Sequence, residues 1–370
     1  MSTTAVNSQD RTDIYYWKCD RSAAFHGTEE SREYDYCIAE QLLPALERRF
    51  PGRDLSICPA NGQGNHRTFK LKIDSQEAFV RTEDGPEADN YFDVETLVIA
   101  EMERRGMPVP RVLACDCERI ETPFAWQVLE YIPYPDLNFH AKRDELEWSV
   151  VGRSIGGYIA RWQEFKPNGF GPFSAFKAHH EKKLQGLHTT YRAYFMLNLD
   201  RHLKFLHEYD FISASTVMDI KAAIERNSGL LDLSEGCLVH KDMALWNILG
   251  APDKVVAFID WDDVICGDAM DDLSLLGCFH DARIINYVLQ GYAAVKPLPK
   301  NYLQRFWLHL LRNMIFKAVI RVGAGYFKRN DRFYLIDSGS NGEVFELFTR
   351  NRIEIALRGL NQGCDLSILS

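Results

Sequence analysis

A chain of 370 residues that is 46% hydrophobic and 26% charged has an ordinary globular composition, long enough for two domains or one two-lobed fold. Its net charge of −9 argues against a nucleic-acid partner, which would leave a basic footprint, and is compatible with a cationic ligand. No apolar run approaches the roughly 18 residues of a spanning helix, so no membrane partner is expected.

The opening stretch, MSTTAVNSQDRTDIYYWK, has neither a basic n-region nor an apolar h-region, and a cytoplasmic location is expected. The nine cysteines are scattered, and the close pair Cys115 and Cys117 lacks metal-ligand spacing. Reduced thiols are expected rather than a zinc site or a disulfide framework.

Residues 1–28 are polar, with aromatics at Tyr15, Tyr16 and Trp17 and no clear period. They read as an arm, either packed on the body or mobile. From Glu29 to Phe50 the apolar positions Tyr36, Ile38, Leu42, Leu43 and Leu46 predict a helix, stopped by Pro51 and Gly52. Strands are predicted at Asp54–Pro59, Thr68–Ile73 and Glu77–Thr82, with Asn61–Asn65 as a turn. Glu87–Arg105 is a predicted helix, followed by strands at Arg111–Cys115 and Ala125–Tyr131.

Asp144–Asn227 is mostly helical in pattern, with breaks at Lys166–Gly169 and at Gly171 and Pro172. A short strand pair is predicted around Cys237–Val239 and Val255–Ile259, and the remainder from Asp271 is helical again. The expected fold class is α+β: a small N-terminal lobe (29–130) with an antiparallel sheet and one main helix, and a larger, mostly helical lobe (131–370).

The strongest chemical signal is Cys237-Leu-Val-His240-Lys-Asp242-Met-Ala-Leu-Trp-Asn247. Thirteen residues beyond Asn247, a second apolar strand ends in Asp260-Trp261-Asp262-Asp263. Phosphoryl transfer needs a carboxylate that orients the attacking hydroxyl and accepts its proton, and hard oxygen ligands for Mg²⁺. Asp242 suits the first role as catalytic base, and Asn247 and Asp260 suit the second.

These residues resemble those of the aminoglycoside phosphotransferase and choline kinase family of protein-kinase-like enzymes, from about Ser56 to Gly277. The resemblance implies a two-lobed protein-kinase-like fold and an ATP- and Mg²⁺-dependent transfer of the γ-phosphate to a hydroxyl of a small molecule. The expected acceptor is amine-bearing: an aminoglycoside, choline or a natural product. It implies that His240 braces the catalytic loop and that Asp272 braces it through main-chain bonds. Lys241 departs from the small residue usual there and stands either toward solvent or against phosphate.

Gly62, Gly64 and Asn65 then form the turn whose backbone approaches the phosphates. Arg81 takes the place of the third-strand cation, with Glu95 as its partner and Glu101 and Glu103 as alternatives. The resemblance makes Gln127–Pro133 the interlobe hinge, where adenine bonds the Glu130 carbonyl and the Ile132 N–H. Asp262 and Asp263 are candidate substrate contacts that could draw in a cation, together with Asp268 or Asp271. At the end of the helical segment Val150–Gln163, Trp162 and Gln163 replace a family Leu-His pair.

Two rival readings carry different predictions. A nucleotide-binding pseudokinase or scaffold has no need of the base Asp242. A haloacid-dehalogenase-type phosphatase would use Asp260 as nucleophile, and requires doubly wound βα units around it.

Overall fold

The computed structural model describes residues 10–20, 32–60, 66–83, 85, 88–331, 333, 335–337 and 339–369. By contacts the chain divides into two compact units: Met1–Asp10, Ala23–Pro133 and Ser174–Leu184 in one, Arg11–Ser22, Tyr134–Phe173 and Gln185–Ser370 in the other.

The first unit is built on five strands, β1 (Leu55–Pro59), β2 (Arg67–Ile73), β3 (Gln76–Glu83), β4 (Val112–Asp116) and β5 (Ala125–Glu130). They pair antiparallel in the order β1-β2-β3-β5-β4. Side chains alternate across a strand, so Ala78 and Val80 of β3 face one way and Arg81 the other. The first face packs on Ile38, Leu42 and Leu46 of the helix Arg32–Arg49, with Phe69, Trp126 and Val128 completing that core. The helix Tyr91–Arg104 presents Glu95 to Arg81. Helix Ala175–Glu181 belongs to the same unit, its His179 held between Asp93 (2.6 Å) and Glu118 (2.8 Å).

The second unit is mostly helical around Tyr302–Gly323, in which every residue from Phe306 to Arg321 is buried. Such a helix has no solvent face, so its polar residues must find partners inside. Helices Trp148–Trp162 and Ala282–Val295 lie backbone to backbone. A Cβ on Gly156 would collide with the Val288 carbonyl oxygen, and one on Gly291 with that of Arg153.

Six short strands complete this unit: β6 (Phe170–Phe173), β7 (Gly186–His188), β8 (Cys237–Val239), β9 (Ile248–Ala251), β10 (Lys254–Phe258) and β11 (Ile265–Gly267). They form a four-stranded sheet, β7-β6-β11-β8, and a β9–β10 hairpin. The two segments predicted as a strand pair therefore lie in different sheets. β8 pairs with β11, while β10 turns back through Pro252 and Asp253 onto β9. β6 and β7 went unread because strands this short, carrying Gly and Pro, have no detectable alternation. All the named strands pair antiparallel, which rules out the doubly wound sheet that the dehalogenase reading requires.

Gly156→Ala should force these two helices apart and lower stability by about 2 kcal/mol, the usual scale of overpacking, read as a shift in the denaturant midpoint.

Candidate active site

The segment from His240 to Asn247 links β8 to β9 and is held from beneath by one carboxylate. Asp272, fully buried at the start of helix Asp271–Gly277, accepts the His240 N–H (3.0 Å), the Lys241 N–H (3.0 Å) and the Trp162 indole N–H (3.1 Å). His240 Nε2 donates to the Ile259 carbonyl at 3.0 Å, tying the loop to the end of β10, and its ring packs on Trp261. Asn247 donates its amide to both the carbonyl (2.9 Å) and a carboxylate oxygen (3.2 Å) of Asp242. Ile259 in turn donates its N–H to the Asn247 carbonyl at 3.0 Å.

Two loop residues occupy left-handed backbone, Lys241 at φ +69° and Asp260 at φ +63°. That conformation is costly for residues with a Cβ and persists where the surroundings impose it. Lys241 does not reach solvent or a phosphate position. Its ammonium is buried and donates to Asp271 (2.8 Å), Asn313 (2.9 Å) and the Tyr15 hydroxyl (3.1 Å).

The described part of the N-terminal segment, Asp10–Asp20, supplies several more groups. Its anchorage is extensive: Tyr15 stacks on Tyr194 and lies under the Arg312 guanidinium at 3.5 Å, and Tyr16 stacks on Phe316. Asp20 accepts the Tyr15 and Tyr16 N–H groups and pairs with His202 at 2.6 Å. Thus held, Lys18 lies 3.4 Å from Asp242 and 3.1 Å from Asp263, and Tyr16 donates its hydroxyl to Asp263 at 2.8 Å. Arg11 reaches the carbonyl and carboxylate of Asp262. Lys317, from the central helix, stands 3.6 Å from the other oxygen of Asp242.

These charges set the state of the acids. Burial works against the charge of Asp242, but Lys18, Lys317 and His240 outweigh it and hold the carboxyl at about 2. Burial instead pushes Asp263 up to about 6, because the charges on Asp262 and Asp242 add to it against Lys18. Lys18 is half-buried, and although desolvation opposes its charge, Asp263, Tyr16 and Asp242 raise its pKa well above the usual lysine value.

In the first unit, Arg81 pairs with Glu95, fully buried, and donates to Gln127 at 2.8 Å. Gln127 is fixed by Thr96 at 3.0 Å, so the guanidinium is oriented from two sides. Glu101 is engaged elsewhere, by Arg104 and Arg105. Glu130 closes β5, and its carboxylate accepts the Arg111 N–H (3.2 Å) and guanidinium (3.1 Å). Ile132 follows the strand, half-buried. Gly62, Gly64 and Asn65 lie outside the described residues.

The model of the phosphotransferase enzyme family matches residues 56–301, about two-thirds of the chain. The chain belongs to this family. The structure of the phosphotransferase is similar to that of aminoglycoside phosphotransferase APH(4)-Ia, at 14% identity and a TM-score of 0.60, over 86% of this chain and 98% of that one. A thermostable mutant of that enzyme, in ternary complex with ADP and hygromycin B, gives 15% identity and 0.60 over the same shares. A putative fructosamine-3-kinase from Thermobifida fusca gives 18% and 0.59, over 86% of this chain and 99% of that one. No curated protein matches in sequence. The fold is that of these kinase-like enzymes.

The family match excludes Arg11, Tyr16, Lys18 and Lys317, all of which sequence reading passed over. The N-terminal aromatics have no period that would have placed them. Lys317 did carry a signal: it interrupts the run Met314-Ile-Phe-Lys317-Ala-Val-Ile320, where an exposed lysine makes no sense.

Asp268 and Asp271 are likewise engaged internally. Asp268 pairs with Arg305 and His309 and accepts the Met270 N–H at 2.9 Å.

Lys241→Met should leave Asp271 buried without its cation and cost about 3–5 kcal/mol, measured by chemical denaturation. A phosphate-holding lysine would instead raise the KM for nucleotide at unchanged stability. Burial opposes the charge of Asp268, but His309, Arg305 and the Met270 N–H hold its carboxyl at about 2, below the ordinary 3.8. The stability it contributes is therefore fully present above about pH 4 and lost as pH falls through about 2. Asp268→Asn should cost about 3 kcal/mol at pH 7 and much less near pH 2, read from paired melting curves.

Proposed function

We propose that this phosphotransferase moves the γ-phosphate of ATP onto a hydroxyl of a small molecule, with Asp242 as the base. The observation that carries the reading is the state and placement of Asp242. It is an ionised carboxylate at the tip of a loop fixed by Asp272, His240 and Asn247, as a base for an incoming hydroxyl must be.

The donor set fits Mg²⁺. Asn247 spends its amide nitrogen on Asp242, which leaves its side-chain oxygen Oδ1 for a hard cation, and Asp260 adds a carboxylate just beyond β10. Bound there, Mg²⁺ would neutralise charge on the phosphates. Arg81, braced by Glu95 and Gln127, supplies the cation for the α- and β-phosphates, with the backbone of Gly62, Gly64 and Asn65 as the turn over them. The Glu130 carbonyl and the Ile132 N–H take the adenine edge. His240 and Asp272 act as braces. ADP is bound by a solved relative of the same fold, which supports the choice of nucleotide.

We place the enzyme in the cytoplasm: all nine cysteines are free thiols, the state a reducing compartment maintains, and no described helix is long and apolar enough to cross a membrane.

Asp242→Asn keeps the hydrogen-bonding shape of the loop and removes the base. ATP-dependent phosphorylation of a hydroxyl acceptor should fall by about 10²–10⁴-fold in ADP-release assays, with nucleotide binding retained. Equal turnover in wild type and variant would end this assignment, and nucleotide binding without turnover in the wild type would favour a binding module instead.

A further inference from the structure

The sequence reading assigns Asp262 and Asp263 to a cationic acceptor. In the structure the chain's own cations already occupy them. Arg11 holds Asp262, and Lys18 holds both Asp263 and Asp242. All three N–H groups of Lys18 have acceptors, the third being the Tyr16 hydroxyl at 3.3 Å. An ammonium arriving at Asp242 would meet two lysines and no vacant carboxylate among these three.

Lys317 is in the opposite condition. It is 7% exposed, and its described oxygen partner is Asp242, at a long 3.6 Å. The rings of Phe279 and Phe316 are centred 5.0 and 5.3 Å away, and Cys278, Arg321 and Lys18 also act on it; burial lowers its pKa from the usual lysine value. An ammonium carries three donors, and a single 3.6 Å ion pair leaves this one able to take a second oxyanion beside Asp242.

The Phe279 ring beside it also lines a cavity of about 330 Å³ with Trp148, Trp246, Phe345 and Phe348. Trp246 immediately precedes Asn247, so the cavity opens against the same loop that carries Asp242. A hydroxyl within reach of Asp242 therefore sits beside the Lys317 ammonium, and the Phe279 ring is shared between that ammonium and the cavity.

We propose that the acceptor is a hydroxyl compound bearing an anionic group, carboxylate or phosphate, on an apolar ring-containing body, with Lys317 binding the anion and the aromatic cavity taking the ring. This rests on Asp242 being the base. Lys317 is then the residue that sets acceptor charge, and Lys18 positions the carboxylate.

Size-matched pairs differing in charge test it: phenyllactate against phenylalaninol, and 4-hydroxyphenylacetate against tyramine, each followed by ADP release and by calorimetric binding. The anionic member of each pair should be used with a kcat/KM about tenfold or more higher. Lys317→Met also removes a charge partner of the base, so the readout is the difference between probes: kcat/KM should fall about tenfold more for the anionic members than for the amines, and Lys317→Arg should restore most of that difference. Preference of the wild type for the amines, or neither binding nor turnover of any anionic probe, overturns the inference. So does an equal loss of kcat/KM on every probe in Lys317→Met. Asp242→Asn separates the two readings: it should bind the anionic probe without turning it over, and persistent turnover there would remove the base assignment instead.

Discussion

The arrangement at the loop depends on two adjacent carboxylates at the start of one short helix. Asp272 takes two consecutive backbone N–H groups, from His240 and Lys241, and fixes the path of the chain as it leaves β8. Asp271 takes the Lys241 side chain, which pins the left-handed residue between them. A carboxylate accepting several N–H bonds is strong and directional, and a buried one tolerates little misalignment because water cannot replace a lost partner. The loop is therefore placed by polar contacts satisfied one by one, while the apolar core supplies the rigid helices that carry them.

Around Asp242 the same economy of buried charge holds. Four acids, Asp242, Asp260, Asp262 and Asp263, lie close together in sequence around the loop, and burial of a carboxylate without a cation beside it is unfavourable. Lys18 and Lys317 keep Asp242 ionised, while Lys18 also pairs with Asp263 and Arg11 with Asp262. Two of these cations come from a segment before the family-matched region and one from a helix after it. Charges from outside the family-matched stretch thus surround the phosphotransferase loop. Burying a cation is unfavourable unless it is paired, which is why Tyr15, Tyr16 and Asp20 are anchored so thoroughly to Tyr194, Phe316 and His202.

Much of the fold was legible in advance, and for a definite reason. The five strands of the first unit alternate polar and apolar residues because one sheet face packs on Ile38, Leu42 and Leu46, so their bounds fell within a residue or so of those observed. Arg81 and Glu95 could be matched through the resemblance to kinases, which left Glu101 and Glu103 as alternatives until the structure paired Glu95. The short strands β6, β7, β9 and β11 were not legible, since three or four residues are too few to show a period and β6 and β11 are buried throughout. Their pairing also depends on chain reversals far apart in sequence, as β8 with β11 shows.

The sequence by itself determined the reaction class, because His240, Asp242, Asn247 and Asp260 stand at separations that local strand-and-loop geometry alone can bring together. It also determined that one arginine and one glutamate of the N-terminal half would pair. Only the tertiary structure decided which groups face Asp242. Lys18 reaches it across more than two hundred residues and Lys317 across some seventy, distances over which no period or motif extends. It decided, too, that Lys241 turns inward to Asp271 and that Asp262 and Asp263 are held from within. Charge pairing in a buried site is settled by three-dimensional proximity and desolvation, and neither is encoded in local spacing.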